Sequence, residues 1–499
     1  MNAIDDLKAR FADLLRLNYI TNLLGWDQQV YIPPSVDSTK GRSEQIALIQ
    51  AISHKKLVSK KTGDLIKQVE KIQDLNLVDS ALLREAKRKY EKAVKIPTEL
   101  VIEIAKTASL GHQAWEKAKS KSNFEIFKPY LEKMVSLQRE YAERINIGPT
   151  LYDSLLDIYE PGATSDWISK ILGNLKSKIT NILNKINDSS NKPDQSILRK
   201  TFDPKKQWDF SIEILKALKF DFTMGRQDKS VHPFTTSISF RDTRITTRIL
   251  ENFLPTCIFG TIHECGHALY EMGFKDNLNE TYLADGSSLG IHESQSRLWE
   301  NIVGHSKEFW IYWYPILKKY FPENLKEYSK EEFYRSINAV KPSFIRVDAD
   351  EITYGLHIIL RFEIEKELIN NNFNISETPQ FWNEKMEELL GIVPSNDAEG
   401  VLQDVHWAGG GFGYFPTYTL GNLYASQIYA YALKEHPNLP EDFKIGNYTN
   451  LLNYLRENLH QYGRIYRPLD LLKKITGENL NPDYFIDYLE KKFYPIYNV

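Results

Sequence analysis

The chain has 499 residues, 42% hydrophobic and 26% charged, and its formal net charge is -3 at pH 7. These values describe an ordinary globular protein with ample core, of a size for three average domains or one large helical enzyme, and its near-cancelling charge points to neither nucleic acid nor an anionic membrane as a partner. Only two cysteines occur, Cys257 and Cys265, which excludes a disulfide framework and fits a reducing compartment.

The N-terminal segment MNAIDDLKARFADLLRLNYI places Leu7, Phe11, Leu14, Leu15 and Tyr19 three to four residues apart. That spacing predicts a helix over 4–24. Acids at positions 5 and 6 and an interrupted apolar run are unlike a signal peptide. No stretch reaches the ~20 apolar residues of a membrane span, so a cytoplasmic protein is expected. Trp26–Val36, with Pro33-Pro34, reads as a loop. Residues 58–94 alternate apolar positions with Lys, Arg and Glu, as long solvent-facing helices do, and Pro97 reads as the first-turn proline of the next helix. The polar break Asn187-Asp188-Ser189-Ser190-Asn191-Lys192-Pro193 is short and lies between helical patterns. It reads as a surface loop, which leaves one unit over 1–499.

One segment departs from the helical habit. Thr235 to Ile249 runs TTSISFRDTRITTRI, with period-two alternation and β-branched residues, and predicts a strand pair or a bent strand. Such an edge can bind a peptide backbone by strand addition, or it is only a structural hairpin.

Downstream, a helix over about 252–274 carries His263-Glu264-Cys265-Gly266-His267, with Gly273 as its terminator. Histidines four apart share one helix face, so both imidazoles can reach a single ion, and Glu264 falls beside it where it can work on a water. Cys265 points away from that face and reads as a buried thiol. Two ligands leave a Zn²⁺ site one short. Glu271 is displaced ~6 Å along the axis and is too far. The third ligand then comes from the next helix, which starts at Ser287-Ser288-Leu289-Gly290. Glu293 lies early in it, with His292 and Glu300 as alternatives on spacing alone.

The HECGH pentapeptide followed by HESQSRLWEN resembles the Taq-type metallocarboxypeptidase family, typified by thermostable bacterial and archaeal carboxypeptidases and related to the gluzincins. Further blocks follow in order: His232-Pro233-Phe234, the DxRxT block Asp242–Thr246, the IRxxAD block within Phe344–Asp350, the GxxQDxHW block Gly400–Trp407, and GYFPTYTLGN at 413–422. The likeness runs from Trp26-Asp27 to ITGENLNP at 475–482. One departure is Pro33-Pro34-Ser35-Val36, where a Gly-rich continuation is usual.

The resemblance implies a mainly α fold, with two helical lobes flanking a deep active-site groove and a small β-sheet at the groove wall. It implies Zn²⁺, with Co²⁺ as a possible substitute, held by His263, His267 and Glu293, and Glu264 as general base. A planar guanidinium binds carboxylate through two parallel hydrogen bonds, and among the arginines the resemblance implies Arg346, in the IRxxAD block, as the first choice for gripping a terminal carboxylate, with Arg244 on the predicted strand as the second. His406 and Tyr418 are candidate donors to an oxyanion, Tyr418 beyond a Gly-rich run that can form a mobile loop. Gln403 and Asp404 are candidate acceptors for the ring N–H of the metal histidines. The expected function is zinc-dependent release of single C-terminal residues from peptides with broad tolerance, by a homodimer. The alternatives are an oligoendopeptidase or dipeptidyl carboxypeptidase of related fold, or a scaffold without activity.

Overall fold

Helix α1 (Ala3–Val30) begins where Asn2 accepts a hydrogen bond from the Asp5 N–H, with Asp5 and Asp6 in the first turn, the end where the helix dipole favours negative charge. Leu7, Phe11, Leu14 and Leu15 are buried, the stripe that the spacing predicts. The computed structural model describes residues 2–499. The loop expected over Trp26–Val36 is corrected: residues 26–30 complete α1, and only 31–35 are non-helical. Trp26 is buried, and the helix stops where Pro33 restricts the backbone of the residue before it. The helical stretch at 58–94 is two helices, Lys60–Val69 and Leu77–Lys95, each with a buried stripe that includes Leu65, Ile66, Val69, Ala81, Leu82 and Ala86.

The chain forms two compact units. The first comprises Met1–Val94, Asp194–Ile337 and Tyr424–Leu480; the second comprises Lys95–Pro193, Asn338–Leu423 and Asn481–Val499. The polar break at 187–193 lies at one of the crossings from the second unit to the first.

In the first unit, β1 (Gly225–Lys229), β2 (Thr235–Ser239) and β3 (Asp242–Thr247) form a sheet of order β1-β3-β2. The predicted strand pair is β2 antiparallel to β3, with an irregularity between Ser237 and Ser239. Strand β1, parallel to β3, is unannounced by its sequence GRQDK, which lacks apolar alternation. Helix α2 (Pro255–Met272) carries the HECGH motif and ends at Gly273, and α3 (Leu289–Arg297) is capped by Ser288, whose side chain accepts from the Ile291 N–H. The chain continues from α3 through a π-helical segment, Leu298–Gly304.

In the second unit, α4 (Tyr354–Asn370) packs against Leu151–Tyr159, Ser165–Asp188 and Thr378–Leu390. It is buried almost all round, as a central helix is, and its buried residues include Arg361 and Glu365. Helix α5 (Pro416–Glu435) starts in this unit. The protein is therefore mainly α with one small sheet, as the sequence predicts.

Helices α2 and α3 meet backbone to backbone at Gly266. A Cβ there would lie 2.5 Å from Gln295 O and 2.7 Å from Ser296 Cα, both backbone atoms. Gly266→Ala is expected to destabilise the fold by about 1–3 kcal/mol, measured as a lower denaturation midpoint in urea.

Candidate active site

Helical spacing sets the His263 and His267 rings on one face of α2, with centroids 5.0 Å apart. Helix α3 crosses that face and delivers Glu293 Oε2 to 3.7 Å from His263 Nε2 and 3.5 Å from His267 Nε2. One ligand atom from each of these three residues lies within 4.8 Å of the others, and among the described residues they are the one group of His, Cys, Asp or Glu so arranged. Of the sequence alternatives, Glu293 is the residue brought to both rings.

His292 and Glu300 stand behind the histidines. Glu300 Oε2 lies 2.8 Å from His263 Nδ1. His267 Nδ1 lies 2.6 Å from His292 Nδ1, and His292 Nε2 lies 2.8 Å from Glu271 Oε1. Ser237 Oγ of β2 donates to the other Glu271 oxygen at 3.0 Å. One proton assignment satisfies this chain: His267 donates from Nδ1, His292 donates from Nε2 to Glu271, and His267 Nε2 keeps its lone pair for a ligand. Arg297, one turn beyond Glu293, donates to Glu293 Oε1 at 2.6 Å and to Glu300 Oε2 at 3.3 Å. That leaves Glu293 Oε2, which also accepts from Ser296 Oγ at 3.1 Å, facing the imidazoles.

The charges suit a divalent cation. Glu264, Glu271, Glu293 and Glu300 face one guanidinium, that of Arg297, so carboxylates outnumber the permanent cations around the imidazoles. Burial opposes ionisation of Glu293, yet Arg297 and the histidines hold its carboxyl far below the ordinary range. Burial lowers His263, but Glu293 and Glu300 outweigh it and raise its pKa to about 9. Two imidazoles and a carboxylate, each held from behind, form a donor set that can hold a divalent metal ion.

Glu264 is buried, which raises its pKa above the usual carboxyl range against the pull of His263 and of a hydrogen bond from Thr235. Thr235 Oγ1 on β2 donates to Glu264 Oε2 at 2.7 Å and lies 3.0 Å from the Glu264 carbonyl. The sheet thus orients the carboxylate beside the histidines. In the sheet order β2 is an edge strand.

Arg244 pairs in register with Thr236. Thr235 and Ser237 point to α2, so Arg244 stands on the opposite sheet face. There it bonds Asp242 at 3.0 and 3.1 Å and covers the Trp26 ring, 4.3 Å from its centroid.

The remaining predicted residues gather in the second unit. Arg346 is 5% exposed. It donates to Asp404 Oδ1 through Nε and Nη2 at 3.2 and 2.8 Å, and through Nη1 to Tyr354 OH at 3.0 Å. Arg361 donates to Asp404 Oδ2 and to Gln403 Oε1 at 2.6 and 2.7 Å. Gln403 and Asp404, expected behind the metal histidines, are therefore engaged by guanidiniums, and Glu300 and His292 hold the rings instead. Two guanidiniums share one carboxylate, so this cluster is net positive by one. His406 Nδ1 lies 3.8 Å from Asp404 Oδ1. Burial lowers the His406 pKa to about 4, so the ring is neutral at pH 7. Burial likewise holds Tyr418 well above its ordinary value, as a hydroxyl, with its ring centroid 5.1 Å from the Arg346 guanidinium carbon. Both side chains are neutral hydrogen-bond donors.

Sequence reasoning missed Thr235, Arg297 and Arg361. Arg297 had a signal, four residues from Glu293. Arg361 had one too, a charge directly after the apolar run Ile358-Ile359-Leu360.

A family model of carboxypeptidase Taq (M32) metallopeptidases matches residues 6–493. Carboxypeptidase 1 of Bacillus subtilis (strain 168) is 40% identical over 99% of each chain. Thermostable carboxypeptidase 1 of Pyrococcus furiosus is 37% identical over 98% of each. The crystal structure of an M32 carboxypeptidase from Deinococcus radiodurans R1 superposes with a TM-score of 0.97 at 33% identity, covering 100% of both chains.

Loss of the carboxylate behind His263 separates ring orientation from ligation. Glu300→Gln is expected to weaken Zn²⁺ binding about ten- to hundredfold, read by competition against a chromogenic chelator.

Proposed function

The chain belongs to the carboxypeptidase Taq (M32) metallopeptidase family and is a metallocarboxypeptidase, and we propose that it releases single C-terminal residues from peptides using Zn²⁺ held by His263, His267 and Glu293. Family membership sets aside the oligoendopeptidase and scaffold readings. The observation that carries the proposal is the donor triad with Glu264 buried beside it. Zn²⁺ held by these three residues would supply Lewis acidity and make water at the site more acidic; Co²⁺ would suit the same donors.

Glu264 is the general base. Thr235 occupies its Oε2, which leaves Oε1 to take the proton of the attacking water and return it to the leaving amine. A raised pKa suits that exchange. Thr235 lies on the edge strand, so a peptide laid along β2 would bring its backbone to the base. His406 and Tyr418, neutral donors, are proposed to hydrogen-bond the oxygen on which charge develops. Arg346 is proposed to grip the terminal carboxylate, supported by the surplus positive charge it shares with Arg361 over Asp404. Arg244 is the second guanidinium of the proposal.

The whole chain is proposed to act as one catalytic unit, in the cytoplasm, as a homodimer. Both cysteines are free and buried, as a reducing compartment allows. Among the described residues no helix is long and apolar enough to cross a membrane. The helix Val36–Leu57 buries only Leu57 and exposes Leu48 at 62% and Ile52 at 45%, one turn apart, a face that a second copy would cover.

Two experiments test these assignments. On a defined peptide, residues are expected to leave singly from the C-terminus, with release abolished by chelator. The amidated twin should resist, and equal cleavage of both would sink carboxylate recognition. Arg346→Ala should lose that discrimination, whereas Arg244→Ala keeps it if Arg346 alone grips the terminus. Glu264→Gln should retain metal while kcat falls about 10²- to 10⁴-fold. Separately, light scattering should give twice the chain mass, and the double substitution Leu48→Lys with Ile52→Lys should give a monomer.

A further inference from the structure

Helix α4 holds the segment 403–413 by side chains at helical spacing. Arg361 takes Asp404 and Gln403. One turn on, Glu365 Oε1 accepts from Trp407 Nε1 at 2.9 Å, and Oε2 accepts from the Gly413 N–H at 3.0 Å and from Tyr152 OH at 2.7 Å. Glu365 is wholly buried. Two of its partners, an indole N–H and a backbone N–H, can only donate, and each sits on a different carboxylate oxygen. Trp407 adjoins His406, and Gly413 precedes Tyr414 on the way to Tyr418. Gly413 has φ +84°, and a Cβ there would lie 2.8 Å from Leu156 N, so the backbone at this end has no room to drift.

We infer that Glu365 is a positioning residue for the reaction: its ionised carboxylate pins Trp407, the neighbour of His406, and Gly413, the far end of the same segment, an inference that rests on the role proposed above for His406. A protonated carboxyl oxygen is a poor acceptor. Protonation on either oxygen therefore releases Trp407 or Gly413, whereas the ionised form satisfies both. The groups facing Glu365 are Tyr152 and Tyr159 from the helix Leu151–Tyr159, Arg361 on its own helix, and the two loop donors. Burial raises its pKa to about 7 against the pull of these hydrogen bonds and Arg361. The folded value exceeds the unfolded one of about 4.3, so this group's contribution to stability grows as the pH falls between them. Mild acid thus releases the loop without unfolding the protein through this residue.

The test measures kcat and KM of the metal-loaded enzyme from about pH 5 to about pH 9. Glu365→Gln keeps the shape but offers one acceptor oxygen, so one loop donor is unpartnered at every pH. Its kcat is expected to fall about ten- to hundredfold above pH ~7 with KM little changed, and the deficit should shrink as the pH falls and the wild type comes to resemble it. A folded, metal-loaded variant with wild-type kcat, or with a deficit independent of pH, overturns the inference. Should that variant fail to fold, Trp407→Phe removes one donor and should move the acid limb of wild-type activity to higher pH; an unmoved limb overturns the inference. His406→Ala separates the two levels. Wild-type kcat in that variant overturns the role of His406 itself, whereas an impaired His406→Ala beside an unimpaired Glu365→Gln overturns the loop clamp alone.

Discussion

Two imidazoles one helical turn apart leave a metal site one protein ligand short, and in this protein the contact between α2 and α3 supplies the missing one. Gly266 sits between the two histidines, and its missing side chain lets the backbone of α3 press against α2. The approach brings Glu293 Oε2 within 3.7 Å of both rings. Everything around the triad follows from it. Arg297 and Glu300 lie on the same face of the incoming segment, so the element that brings the ligand also brings the groups that restrain it and one of the rings.

A second constraint is that buried charge must be partnered. In the first unit carboxylates outnumber cations around the triad, and the cluster suits a divalent metal. In the second unit two guanidiniums share Asp404, and the surplus is positive. Opposite surpluses in the two clusters match the two ends of the chemistry proposed here, a cation that activates water and a guanidinium that grips a carboxylate. The neutral state of His406, enforced by burial, keeps it a hydrogen-bond donor rather than a competing cation.

The sheet is small, yet it works on both faces. Thr235 and Ser237 reach Glu264 and the Glu271–His292–His267 chain, whereas Arg244 on the other face meets Trp26 of α1. The same alternation puts Arg244, expected near substrate, on the sheet face away from Glu264. It also explains why α1 runs through Trp26: the indole is buried and covered by sheet arginines.

Legibility in the sequence followed the range of the interaction. Features set within one or two turns were readable from spacing: the stripe of α1, the face shared by His263 and His267, the helix start within Ser287-Ser288-Leu289-Gly290, the β2–β3 pair. Strand β1 was not, because its pairing partner supplies the reason for it and its own five residues carry no pattern. Nor was the choice among His292, Glu293 and Glu300, since all three lie within about two turns and only the crossing of α3 over α2 decides which faces the rings. The allegiance of Asp404 was likewise beyond reach, because its partners Arg346 and Arg361 are 58 and 43 residues away. By itself the sequence determined the chemistry available, two imidazoles, a neighbouring glutamate and a helical framework. Tertiary structure decided which carboxylate completes the triad and which groups hold each side chain, because a local pattern specifies the face a residue occupies but not what is packed against that face.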